Sequence, residues 1–297
     1  MEHEVRYRGK TYTLQEISEI RELIQQQQDK SRFFISKELC KKWNWRQPNG
    51  VLKDMVCRGL MLFLHREGLI ELPPRKHAPY FLLSKKAKPA YVEVDRSPIV
   101  CTLSELKPIE LTQVRRTPLE KLYKGLINTY HYLGYTRPVG EHLEYIAFSQ
   151  NRPIACIGWC SAPRHIGCRD RYLGWNKEER IANLHKIAIN TRFLILPWVR
   201  IPHLASYLLG LMARMISHDW KSVYNHEILW LETFVDPERG FKGTCYRAAN
   251  WRYLGLTTGR GKNDHTNKPN RSLKYVLGYP LRKDFKEALI WHTVKSV

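Results

Sequence analysis

The chain is short of acidic residues, long apolar runs and any paired cysteine pattern, and each absence excludes something. No apolar run approaches the roughly 18 residues that a membrane-spanning helix needs, so a helical membrane protein is excluded. The opening Met1-Glu2-His3-Glu4 is polar and acidic, and no apolar stretch follows it. That is unlike a secretory signal, and a cytoplasmic protein with no membrane attachment is the expectation. Seven cysteines, an odd number at irregular spacing, do not form a disulfide framework. Cys57 and Cys101 have apolar flanks and read as core thiols. Internal repeats and long low-complexity segments are missing as well.

The scarcity of acid matters most. Asp and Glu number 28 against 49 Lys and Arg in 297 residues, a formal net charge of +21. Such a charge repels copies of itself and attracts polyanions. The basic residues are densest in the last quarter, from Arg247 and Arg252 through Arg260, Lys262, Lys268, Arg271 and Lys274 to Arg282, Lys283 and Lys286. Phosphate contacts would neutralise them, so DNA is the expected partner. RNA or a nucleotide carries the same chemistry. Hydrophobic residues make up 43% of the chain, enough for a packed core.

The first 80 residues predict three helices. Thr13 followed by Glu16 forms a capping box, and Leu14, Ile17, Ile20, Leu23 and Ile24 recur at helical spacing. A second helix starts near Ser31 or Ser36. After the turn Pro48-Asn49-Gly50, a third spans about 51–66 and stops at Gly68. Residues 69–72 alternate like a strand, and Pro73-Pro74-Arg75-Lys76 turns into a basic loop. Three helices, a strand and a basic loop make a winged-helix order. In that arrangement Asn49, Lys53 and Arg58 face DNA from the third helix, and Arg75 and Lys76 from the wing. A helical cap without DNA contact is the competing reading.

Residues 81–117 read as a linker and 118–297 as a second domain. There the order is helix, hairpin (144–148 and 154–159), helix (176–183), strand (191–196), long helix (from Pro202 to Trp220), strand (228–235), helix (244–254), strand (274–279) and helix (283–291). This order resembles the GNAT acyltransferase core. The expected fold class is therefore α+β, an N-terminal winged-helix-like domain followed by a GNAT-like mixed-sheet domain. Fold alone does not give function.

Candidate chemistry clusters between Leu231 and Gly261. Residues on a strand alternate faces, so Glu232 and Asp236 are expected to share one face around Phe234. Two carboxylates there suit a divalent cation, Mg²⁺ or Mn²⁺, or a base and acid pair. Ion pairing to Arg247 and Arg252 is the plainer alternative. Tyr246 is a candidate nucleophile toward a DNA phosphate, with Arg247 and Arg260 as phosphate holders. His185 is a candidate general base. Cys156, Cys160, His165 and Cys168 have three, four and two residues between them, unlike a structural zinc site. CoA binding is not expected. The loop Arg200-Ile201-Pro202-His203-Leu204-Ala205 has His203 where a pyrophosphate loop places glycine, and Pro202 has no N–H to give.

Several segments resemble one family. Trp43-Asn44-Trp45, Lys53-Asp54-Met55, Leu72-Pro73-Pro74, Arg192-Phe193-Leu194-Ile195-Leu196-Pro197-Trp198-Val199-Arg200, Leu231-Glu232-Thr233-Phe234-Val235-Asp236 and Gly243-Thr244-Cys245-Tyr246-Arg247-Ala248-Ala249-Asn250-Trp251 are similar to the Druantia anti-phage system protein A family. At Gly240, the segment between Asp236 and Phe241 is one residue longer than the family's pattern. The resemblance implies a role in phage defence or DNA mobility beside other defence or transposition proteins, and assigns no catalytic residue. The expectation is a DNA-binding protein that cleaves phosphodiesters or transfers strands. Its rivals are a non-catalytic subunit that recruits a helicase or nuclease, and an acyltransferase acting on nucleic acid or protein. The DNA-binding set is Asn49, Lys53, Arg58, Arg75, Lys76, Arg200, Arg247, Arg252, Arg260 and Lys262.

Overall fold

A computed structural model describes residues 5–7, 10–75, 89–260 and 271–290. The chain divides into two units, residues 1–87 with 218–226, and residues 88–217 with 227–297.

In the first unit, β1 (Val5–Tyr7) and β2 (Lys10–Tyr12) form an antiparallel hairpin ahead of three helices, α1 (Leu14–Gln26), α2 (Arg32–Lys42) and α3 (Asp54–Arg66). The capping box forms as its spacing predicts. The Glu16 N–H donates to Thr13 Oγ1, and the Thr13 N–H donates to the Glu16 carboxylate. Ser31 caps α2 by accepting from the Phe34 N–H. Ile17, Ile20, Ile35, Leu39, Leu60 and Leu64 fill the core. The strand expected at 69–72 is not one, because this segment has no strand partner among the described residues. Its alternation reflects burial of Ile70 and Leu72 in the helical core. Arginine side chains fix its backbone instead, Arg21 donating to the Leu69 carbonyl at 2.7 Å and Arg32 to the Pro73 carbonyl at 2.8 Å.

The second unit opens with β3 (Ile99–Val100), α4 (Leu103–Leu106), β4 (Glu110–Gln113) and α5 (Glu120–Tyr130). The hairpin follows as β5 (His142–Ser149) and β6 (Arg152–Ser161), turning at Gln150 and Asn151 with φ of 48° and 61°. Then come α6 (Gly167–Leu173), α7 (Lys177–Asn183), β7 (Ile187–Ile195), β8 (Val199–Arg200) and α8 (Leu204–Tyr224), whose residues from His218 on count with the first unit. The chain continues with β9 (Trp230–Val235), α9 (Thr244–Ala248), β10 (Arg252–Leu256), β11 (Tyr275–Pro280) and α10 (Phe285–Ile290). Seven strands form one mixed sheet in the order β10-β11-β9-β7-β6-β5-β4, while β3 and β8 pair separately. Every neighbour in the large sheet is antiparallel except β7 and β9.

Two expectations change here. Residues 110–113 form the edge strand β4 beside β5, so they belong to the sheet and not to a linker. The helix expected at 244–254 stops at Ala248. Asn250 takes a left-handed φ of 62°, and the chain then pairs with β11 as β10. Among the described residues no helix is long and apolar enough to cross a membrane.

Candidate functional site

The large sheet forks. β7 and β9 pair in parallel from Ile187 with Trp230 to Asn190 with Thr233, and no further. Past that point β7 stays with β6, and β9 stays with β11. The cause is local. Arg192 faces Gly158 and Asn190 faces Trp159, so Thr191 is an extra residue in the β6–β7 ladder. A bulge of this kind bends its strand and re-aims side chains. A cleft of about 560 Å³ fills the fork, within the size range of small-ligand sites.

Asn190 and Thr233 sit at the crotch. The Asn190 amide N–H donates to the carbonyls of Gly158 and Arg192 at 3.0 and 3.1 Å, and its oxygen accepts from the Tyr246 hydroxyl at 2.6 Å. The far wall runs from Asp236 to Tyr246, across a short 3-10 turn at Pro237–Arg239. Gly240 ends that turn at φ 79°, donating its N–H to the Pro237 carbonyl. That left-handed conformation is one that glycine adopts without strain.

The mouth is aromatic and basic. Tyr132 and Phe241 are 48% and 44% exposed, and their ring centres lie 5.0 Å apart. The Arg239 guanidinium sits 5.2 Å from the Tyr132 ring centre. Lys242 and Arg247, both exposed, line an adjoining hollow with Phe241. His131 also borders the cleft, and its pKa is pushed down to about 4 by burial and by Arg192.

The two carboxylates singled out in the sequence have different partners. Glu232 does not line the cleft. It is fully buried, with Arg169 Nη1 3.5 Å from its Oε2. Arg169 is itself fully buried, paired to Asp170 at 2.8 Å and bonded to the Pro163 carbonyl at 3.0 Å. Burial raises Glu232 to about 7, against the pull of Arg169. Asp236 does border the cleft. Ser272 donates to its Oδ2 at 2.8 Å, and Arg239 lies 3.6 Å from the same oxygen. The expected cation pair of Glu232 and Asp236 therefore does not assemble, because Glu232 is buried against Arg169 and only Asp236 borders the cleft. Among the described residues no group of three metal-ligating side chains exists, the Cys156, Cys160, His165 and Cys168 set included.

Tyr246 lines the cleft but is buried, and burial raises its pKa well above the ordinary value. His185 sits in a 3-10 turn ahead of β7, whereas the fork opens past Asn190. In the first unit Asn49, Arg58 and Arg75 are exposed. Arg58 pairs with Asp54 at 3.1 Å. Lys53 is turned to Asn225, donating to its Oδ1 at 2.6 Å. Arg200, Arg247, Arg252 and Arg260 are exposed, and Arg252 donates to the Tyr172 hydroxyl at 2.8 Å. Lys76 and Lys262 lie outside the described residues. Sequence reasoning missed Arg169, Tyr132, Phe241 and Asn190. A His-Tyr pair just after a helix and a Phe-Lys step after a glycine were their only local signals.

The fold and site define an α+β protein whose mixed sheet forks around a ligand-sized cleft. Solved structures similar to it are acetyltransferases. One is an N-acetyltransferase from Staphylococcus aureus Mu50, 12% identical, covering 58% of this chain and 97% of that one, with a TM-score of 0.36. A spermidine N-acetyltransferase from Vibrio cholerae in complex with CoA and spermine is 11% identical, with coverage of 58% and 95% and a TM-score of 0.37. An aminoglycoside acetyltransferase in complex with coenzyme A and kanamycin is 15% identical, with coverage of 61% and 98% and a TM-score of 0.37. No curated protein matches the chain. The family described as Druantia protein DruA matches residues 65–284, and the chain belongs to that family. Membership supports a role in anti-phage defence.

Proposed function

We propose that this protein is a DNA-binding component of an anti-phage defence system, and that it holds an unpaired stretch of DNA at the forked cleft. The observation that carries this reading is the exposed Tyr132–Phe241 pair, backed by Arg239 and flanked by Lys242 and Arg247. Exposed aromatics stack bases regardless of sequence, and nearby cations hold phosphates. The net charge of +21 supplies long-range attraction. The helical first unit would add a duplex grip through the exposed Asn49, Arg58 and Arg75.

The test is fluorescence anisotropy with labelled single- and double-stranded DNA across a salt series. Alanine at Tyr132 or Phe241 should weaken single-strand binding by about 1–3 kcal/mol. Equal binding by wild type and both variants would remove the cleft from the reading.

Strand cleavage is a second reading, which one observation favours. Asp236 borders the cleft with its Oδ1 buried and without a hydrogen-bond partner among the described residues. Mg²⁺ is often held by one or two carboxylates plus substrate phosphates, so Asp236 with bound DNA would suffice, and Mn²⁺ could replace it. Loss of Mg²⁺-dependent cutting in Asp236→Asn would support this route. Binding with no cutting by the wild type would leave a subunit that recruits a helicase or nuclease. CoA fits poorly. Pro202 gives no N–H, and His203, exposed at φ 63°, occupies the position a pyrophosphate loop leaves bare.

A further inference from the structure

A second cavity, of about 260 Å³, lies against β5 and β6. It is smaller than a drug-sized pocket, which begins near 300 Å³. Glu144 on β5 lines it and is 1% exposed. One carboxylate oxygen accepts from the Tyr135 hydroxyl at 3.4 Å. The other, Oε2, is buried without a hydrogen-bond partner among the described residues. A buried carboxylate oxygen left bare is costly.

The cations around Glu144 are engaged elsewhere. Lys124 pairs with Glu120. The Arg192 guanidinium donates to the carbonyls of Gly134 and Thr191 at 3.0 and 2.7 Å. Arg115 donates to His142 Nε2 at 3.2 Å. Gly158 is a further sign of a built site. Any side chain there would collide with the Tyr123 hydroxyl, so the bare strand admits that phenol to the cavity wall. Arg137 lines the cavity and is exposed.

We infer that this cavity is a ligand site distinct from the cleft, in which Glu144 accepts a hydrogen bond from an N–H group of a small ligand. That group is either the amino edge of a nucleobase, with its phosphate at Arg137, or an alkylammonium. The inference does not rest on DNA binding at the cleft. Burial and Glu120 raise Glu144 to about 7, while Lys124, Tyr135 and Arg115 pull the other way. An N–H donor favours the ionised carboxylate, so binding should release a proton near pH 7.

The experiment is calorimetric titration of the full chain with guanosine and cytidine monophosphates in one arm, and spermidine and ethanolamine in the other. Each runs at pH 7 in two buffers of different ionisation enthalpy. The inference expects binding in one arm, proton release, and at least a tenfold loss in Glu144→Gln. A matching loss in Arg137→Ala identifies the nucleotide; insensitivity to it identifies the amine. Near-UV circular dichroism checks that Glu144→Gln keeps its fold, and Tyr135→Phe, which should weaken binding about threefold, serves if it does not. No binding in either arm overturns the inference, as does wild-type affinity in the Glu144 and Tyr135 variants.

Discussion

The Tyr246 hydroxyl donates to the side-chain oxygen of Asn190 at 2.6 Å and so ties helix α9 to strand β7 at the fork of the sheet. Asn190 completes the link by donating to two backbone carbonyls beside the bulge. The geometry of the cleft floor therefore depends on a phenol that is neutral and committed.

Replacing Tyr246 with Phe removes the donor and leaves the Asn190 oxygen unpaired. The cost expected in urea unfolding is about 1–3 kcal/mol, that of orphaning a buried polar group. Single-strand DNA affinity should fall by less than it does in Tyr132→Ala, because the bases stack at the mouth of the cleft and not on its floor. A covalent DNA adduct seen with wild type and lost in this variant would instead make Tyr246 a nucleophile.

The Arg169–Glu232 pair gives a sharper stability prediction. Both side chains are fully buried. Arg169→Met strands Glu232 without its counter-charge, and unfolding should show a loss of about 3–5 kcal/mol. Adding Glu232→Leu to that variant should recover most of the loss, because a buried ion pair contributes little over apolar packing. A double variant as unstable as the single one would assign the loss to Asp170, the other carboxylate that Arg169 pairs with.

How much of this was legible in the sequence follows from the range of each interaction. Thr13 and Glu16 lie within one turn and form the capping box where expected, while the hairpin turn expected at 150–153 closes at Gln150-Asn151, with Arg152 and Pro153 already in β6. Glu232 stood out because its flanks are apolar. Its partner did not, since Arg169 lies on α6, a seven-residue helix whose sequence Gly-Cys-Arg-Asp-Arg-Tyr-Leu has no apolar stripe. The expected pairing of Glu232 with Asp236 assumed that β9 runs on, but the strand ends at Val235. The four-residue β4 was too short to show a period. Tyr132 and Phe241 meet only in the folded chain, and exposure of a single aromatic leaves no pattern.

Stability against pH separates buried Glu144 from the half-buried His131 and His142. Glu144 is raised from 4.5 to about 7, so the folded state binds its proton more tightly than the unfolded chain does. Its contribution is most favourable below about pH 4.5 and is lost as pH rises to about 7. His131 and His142 are lowered from 6.5 to about 4. Their contribution is full above pH 6.5 and is lost as pH falls toward 4. Melting of Glu144→Gln beside wild type should show the variant gaining relative stability between about pH 4.5 and 7 and little outside that window. A constant offset across the range would mean that Glu144 keeps its ordinary pKa.

Lys53 and Arg75 should respond in opposite ways in the first unit. Burial lowers the Lys53 pKa, and its ammonium donates to Asn225. Lys53→Met should therefore lower the melting temperature of the unit while leaving duplex binding within about twofold. Arg75 is exposed at the end of the segment that Arg21 and Arg32 hold in place. If this unit grips DNA, Arg75→Ala removes one phosphate contact without touching the core. Binding should then weaken equally for all duplex sequences, and the slope of log affinity against log salt should flatten by about 0.9. The reverse pattern, with affinity lost in Lys53→Met and retained in Arg75→Ala, would place the contact face around Asn225 instead.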